Sequence, residues 1–242
     1  MMRAFGLVAF VALSVATVTL SNPVRAADLG DALSSEPNAF DPIFVPQRRW
    51  YTGIRGGAAF TQDTEFRTLG TKVKNSYKDP AYYVGGFVGY NFSTYGVPGL
   101  RGELELAYTS ASINSQTLGG TKFTGGAAFG DVNTWLGLAS LYYDFGQGGP
   151  FRPYLGGGLG FGNSKLSGQG VSPTGVLLSD SGTGFAWHVG GGINIDLATA
   201  TELEIGYRYL EVDGVNVKAF DGTKSSVDIG NHLVLVGLKY HF

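Results

Sequence analysis

Residues 233–242 read LVLVGLKYHF, and their spacing in steps of two decides the fold. Val234, Val236, Leu238, Tyr240 and Phe242 form one row, all apolar or aromatic. Leu233, Leu235, Gly237, Lys239 and His241 form the other, which turns polar toward the chain end. A strand sends alternate side chains to opposite faces. One face therefore wants hydrocarbon, and the other ends in two basic groups. An edge strand of a soluble sheet also fits this pattern. An aromatic ending suits a strand that closes a barrel in lipid, with its rings at the water interface and its backbone paired to the first strand.

Working outward from there, seven more segments alternate in the same way, at roughly 50–60, 80–92, 100–111, 132–145, 151–163, 184–197 and 201–211. The third is the cleanest. Leu100, Gly102, Leu104, Leu106 and Tyr108 oppose Arg101, Glu103, Glu105, Ala107 and Thr109. Its period of 2 excludes an amphipathic helix of period 3.6. The connections alternate in length. Residues 61–79, 112–131, 164–183 and 212–231 are long and polar, whereas 93–99, 146–150 and 198–200 are short. Long outer loops and short periplasmic turns are the pattern of an outer-membrane barrel. The expected fold is an all-β, eight-stranded antiparallel up-and-down transmembrane β-barrel over 50–242.

The alternative is a soluble eight-stranded barrel with its apolar row inside. Three features favour lipid outside: aromatics at both ends of the apolar row, glycines in the other row, and balanced charge within that row. The composition agrees. There are 39 glycines, aromatics make up 13% and charged residues only 15%, against a usual quarter. The net charge of −2 gives no basic field for nucleic acid. The absence of cysteine removes disulfides, thiolate metal sites and cysteine nucleophiles.

Residues 1–26 read as a secretory signal peptide. Arg3 supplies the positive start, residues 4–20 are an apolar run, and Val24-Arg25-Ala26 offers a cleavage site before Ala27. Residues 27–49 contain Pro37, Pro42 and Pro46 with no periodicity, and read as a periplasmic lead-in.

The inward row holds Arg55, Arg101, Arg152, Arg208 and Lys239, with Glu103, Glu105, Asp196, Glu202 and Glu204. Charges in a narrow lumen must pair and hydrogen-bond. Eight strands leave an interior just wide enough for side chains. The expectation is a plugged, charge-paired lumen in a structural role. The competing reading is a narrow diffusion channel lined by these charges. Glu202 and Glu204 share a face, as a catalytic acid and base would, but the basic residues account for them. A lipid A hydrolase needs His beside a Ser nucleophile on the outer rim. Ser226 and Asp228 lie near His232 with no compact motif. No catalytic set, metal site or cofactor is expected.

PFRPYLGGGLG at 150–160, YYDFG at 142–146, FAWHVGGG at 185–192, IGYRYL at 205–210 and GLKYHF at 237–242 cover the fourth to eighth segments. In these the chain resembles the small outer-membrane β-barrel (opacity-type, porin-like) family of bacterial surface proteins. The resemblance implies a structural surface protein, adhesin or antigen, or in some branches a narrow porin or haem binder. It also implies that Tyr240 and Phe242 belong to the signal read by the barrel assembly machinery. The expected partners are outer-membrane lipids and lipopolysaccharide, with a host or haem ligand at the loops as the binding alternative; Lys122, Lys165, Lys218 and Lys224 in the long loops either contact lipopolysaccharide phosphates or are simply solvated. The expected setting is the bacterial outer membrane, and the default expectation is a monomer.

Overall fold

The computed structural model describes residues 49–242 apart from Leu69, Gln147, Gly148 and Pro173. The expected signal peptide, and the lead-in short of Arg49, lie outside the described residues. The chain is almost entirely strand: β1 (Trp50–Thr61), β2 (Thr64–Thr68), β3 (Thr71–Tyr77), β4 (Ala81–Asn91), β5 (Leu100–Leu118), β6 (Thr121–Thr124), β7 (Ala128–Asp144), β8 (Phe151–Val171), β9 (Gly175–Ala198), β10 (Thr201–Lys218) and β11 (Lys224–His241). Each of β1, β4, β5, β7, β8, β9, β10 and β11 pairs antiparallel with the next, and β11 returns to β1. The closing register runs from Tyr51 opposite His241 to Thr61 opposite Asn231. These eight strands form a ring with no free edge, which satisfies every strand's backbone groups without water. The β2–β3 hairpin extends the ring through β3–β5 pairing, and β6 adds to the end of β5.

The end at which Trp50 and His241 lie is called lower here. Its connections are short, among them residues 199–200 between β9 and β10. The upper connections differ from expectation. The polar stretches read as long loops are largely strand: β5, β8 and β9 run for 19, 21 and 24 residues. Only residues 172–174 separate β8 from β9.

Within each long strand the two faces exchange character. In β11, the inward row climbs from Lys239 through Gly237, Leu235, Leu233 and Asn231 to Ile229 and Val227. The outward row climbs from Tyr240, Leu238, Val236 and Val234 to Asp228 and Ser226. In β10, buried Glu202, Glu204 and Arg208 give way to buried Leu210, Val212, Val215 and Val217. A bulge between Val212 and Val215 shifts the phase, and Gly214 supplies its left-handed φ of 69°.

The upper interior is consequently an apolar core. Phe66, Val73, Ile113, Val132, Leu166, Leu178, Val215, Val227 and Ile229 are all 3% exposed or less. Burying each such side chain contributes about 1.5–3 kcal/mol. A short amide chain crosses this core. Gln116 donates to Asn75 at 2.6 Å, and Asn75 donates to Gln169 at 2.8 Å. It ties β8 to the paired β3 and β5.

Candidate functional site

The lower interior carries the chemistry. Arg55 on β1 donates to Glu103 at 2.5 Å and to Glu105 at 3.0 Å, and its Nε lies 3.6 Å from Glu204. Arg101 contacts Glu103 and grips both Asp144 oxygens at 3.1 Å. Arg208 donates to Glu105 at 3.0 Å. Lys239 lies 2.8 Å from Glu204 and 3.4 Å from Glu202. Arg152 contacts Asp196 at 2.7 Å and Glu202 at 2.5 Å. All ten charges singled out in the sequence thus contact a partner of opposite sign. Depth grades across them. The side chains of Arg55, Glu103 and Glu105 are fully buried, whereas that of Arg152 is 19% exposed and that of Asp196 is 43% exposed at the lower mouth.

Several members of this network escaped the sequence reading. Asp144 ends β7 inward, and Asn194 donates to it at 3.0 Å while accepting from Lys239 at 2.7 Å. Tyr51 donates to Glu103 at 3.0 Å, and Tyr83 donates to Glu105 at 2.8 Å. Tyr142 accepts from Arg208 at 2.9 Å and has the Arg101 guanidinium 4.3 Å from its ring centre. Arg55 lies 4.0 Å over the Phe87 ring. An aromatic face partly replaces the hydration a buried guanidinium loses. The strict alternation of β4 and β7 could have found Tyr83, Phe87, Tyr142 and Asp144. Attention to charge alone passed over the tyrosines.

Two histidines sit apart from these ion pairs. His188 meets Ser140 at 2.8 Å, across the width of β8. Their register partner on β8 is Gly158, where an added Cβ would collide with both side chains. This Ser–His pair is buried, with His188 3% and Ser140 5% exposed. His232 faces outward against Tyr207 and Tyr209. His241 lies 3.3 Å from Glu202 at the lower mouth. In the upper interior, burial pushes the Tyr77 phenol up to about 12.

Outside the ring, two aromatic girdles bracket an aliphatic belt. The lower girdle includes Trp50 stacked edge-on to Tyr90, Tyr143 against Phe145, and Tyr240. The upper includes Tyr108 against Trp135 and Trp187 against Tyr209. Leu104, Leu106, Leu155, Val189, Val236 and Leu238 lie exposed between them. From Tyr240 to His232 is eight residues of β11. At roughly 3.4 Å per residue and a 35–45° tilt, that spans roughly 20 Å, close to the apolar band of such barrels.

Residues 40–242 match the family described as the outer membrane protein beta-barrel domain. The chain belongs to this family. It is an outer-membrane protein, and its exposed aliphatic belt lies against lipid. Over 96% of its length it is 27% identical to uncharacterized proteins of Brucella suis and Brucella abortus, covering 98% of each. Among solved structures it is similar to Neisserial surface protein A, with 20% identity, a TM-score of 0.49, and coverage of 80% of this chain and 97% of that one. It is also similar to OprG from Pseudomonas aeruginosa, with 18% identity, a TM-score of 0.48, and coverage of 81% and 98%.

Proposed function

We propose that this barrel is a structural surface protein whose lumen is closed by its own side chains. The observation that carries the reading is the continuous set of contacts through Arg55, Glu103, Arg101, Glu105, Arg208, Glu204 and Lys239, with side chains at most 4% exposed. A permeation path needs water beside its charges. These charges instead touch each other and the rings of Phe87 and Tyr142. The apolar core above them adds a second closure. In this role the paired lumen fixes strand register, and the upper strands present their polar outer faces to the surroundings.

The test is conductance of the purified protein in planar lipid bilayers. The expected record is flat at physiological salt. Steady unitary openings would overturn the closed lumen and favour the narrow diffusion channel. Glu202 and Glu204 serve here as partners of Lys239 and Arg152 rather than as an acid–base pair. Adhesion through the upper rim is compatible with the same architecture. Haem capture there has less support, since the three histidines lie in the lumen, at the upper girdle and at the lower mouth. Tyr240 and Phe242, both outward at the lower girdle, are proposed as the segment read by the assembly machinery.

A further inference from the structure

The lipid-facing wall is not uniform. Two neighbouring cross-strand rows climb it diagonally from β1 to β9, because strands tilted by roughly 35–45° carry their ladder rows upward. The lower row runs Trp50, Tyr90, Gly102, Leu141 and Gly157 in direct register. The upper row runs Val88, Leu104, Ala139, Leu159 and Trp187. Gly102, Ala139 and Gly157 recess the wall between Leu104, Leu141 and Leu159, which leaves a groove of about 770 Å³. From β1 to β9 it is roughly 24 Å long, at about 4.8 Å per strand. Its volume lies within the roughly 300–1,000 Å³ of small-ligand clefts.

The lower end of this groove opens at a cluster of four rings. Trp50 lies edge-on to Tyr90 at 4.9 Å, and Phe92 lies 5.2 Å from Tyr90. Tyr95, on the turn between β4 and β5, packs 6.5 Å from Tyr90 and 6.4 Å from Phe92. Arg49 directly precedes Trp50 and is exposed, and its carbonyl accepts from the Asn91 amide at 2.8 Å. It forms no ion pair among the described residues. Arg101, Arg152 and Lys239 at the same end turn inward onto carboxylates. The outer mouth of the groove therefore carries positive charge.

We propose that this groove holds one acyl chain of an anionic glycerophospholipid, with the phosphate on Arg49 and the glycerol region among Trp50, Tyr90 and Tyr95. The surroundings choose the occupant. Between the girdles only hydrocarbon or another protein wall reaches the groove. A second barrel is convex, so it would rest on the leucine ridges and leave the floor empty. An empty floor forfeits dispersion contacts that a flexible chain recovers. Amphipathic rings at the mouth suit the ester and headgroup level of a lipid. Positive charge beside them favours an anionic headgroup. The open end selects the leaflet. Short turns mark the periplasmic side, where the lipids of an outer membrane are glycerophospholipids. Lipopolysaccharide would have to enter from the upper girdle, where Trp187 stands at the far end of the groove. The inference concerns the outer wall alone and is independent of whether the lumen conducts.

The experiment folds the mature protein in detergent micelles and titrates it with phosphatidylglycerol, while native mass spectrometry counts the lipids bound. One phosphatidylglycerol is expected to bind saturably, ahead of a weak background that does not saturate. Ala139→Phe, which fills the floor from an outward position, should weaken that binding roughly tenfold or more. Arg49→Gln should weaken it roughly fivefold and leave phosphatidylcholine binding unchanged. Gly86→Leu adds bulk to the lipid face at an open position outside the groove, and should change nothing. Retained heat-modifiable migration of each variant shows that the barrel is intact. Absence of a saturable single lipid overturns the proposal. So does equal weakening by Gly86→Leu, which would mean an ordinary lipid annulus, or an Arg49→Gln variant that keeps the full anionic preference. Lipid A that displaces phosphatidylglycerol at equal concentration overturns the choice of leaflet, and a lipid-free dimer abolished by Ala139→Phe would give the groove to a second copy instead.

Discussion

The lower and upper halves of the ring use the same eight strands and obey opposite rules. In the lower half the inward side chains are Arg55, Glu103, Glu105, Arg208 and Lys239, and the outward ones are Leu104, Leu106 and Leu238. In the upper half the inward side chains are Val215, Val227, Ile229 and Leu166, and the outward ones are Asn216, Asp228 and Lys165. The medium outside decides which pattern holds. Lipid against the lower wall makes an apolar exterior favourable and leaves the interior to satisfied polar groups. Water against the upper wall restores the ordinary preference for an apolar interior. One strand such as β11 is thus a membrane strand along one stretch and a soluble-barrel strand along the next.

The contrast breaks most visibly at Arg55, which touches three carboxylates. Arg55→Met should destabilise the barrel by about 3–5 kcal/mol, because the acids left behind are buried without their cation. Reversible urea unfolding in lipid vesicles measures this, and a loss below about 1 kcal/mol would mean the lower interior is wet. Next comes Ile229→Ala in the upper core. The cost expected there is about 2–5 kcal/mol by the same measurement, as for a cavity in any soluble protein. A negligible change would place Ile229 outside a packed core. The finest comparison uses one strand and one new residue. Val236→Arg, midway between the girdles, should cost about 2–4 kcal/mol where β11 meets lipid. Ser226→Arg, ten positions away on the same outward row, should fall within about 0.5 kcal/mol. Equal costs would erase the boundary between the two media.

The lower half was legible because its period is uninterrupted. Residues 100–111 and 233–242 alternate without a break, so both the outward row and the inward Arg101, Glu103, Glu105 and Lys239 could be read directly. The upper half was not. Its strands contain bulges between Leu166 and Gln169, between Val212 and Val215, and between Phe129 and Asp131. Each extra residue resets the phase, so a reader counting in twos loses the pattern. The exterior there is also Gly, Ser, Asn and Lys, the composition of loops. The valines and leucines inside are too sparse in sequence to announce a strand by themselves. Partners that depend on neighbours several strands away, such as Tyr51 with Glu103 or Ser140 with His188, leave no local trace.

Closure has a kinetic consequence. Tyr51 faces His241 and Ala59 faces Leu233, so the first strand finds its mate only after nearly the whole chain has been made. Until then two raw edges remain, each a row of unpaired amides that any neighbour could capture. Contacts this distant in sequence make folding slow. The last seam to form is therefore also the one that most needs shelter, and the protein's survival during biogenesis depends on how briefly β1 and β11 wait for each other.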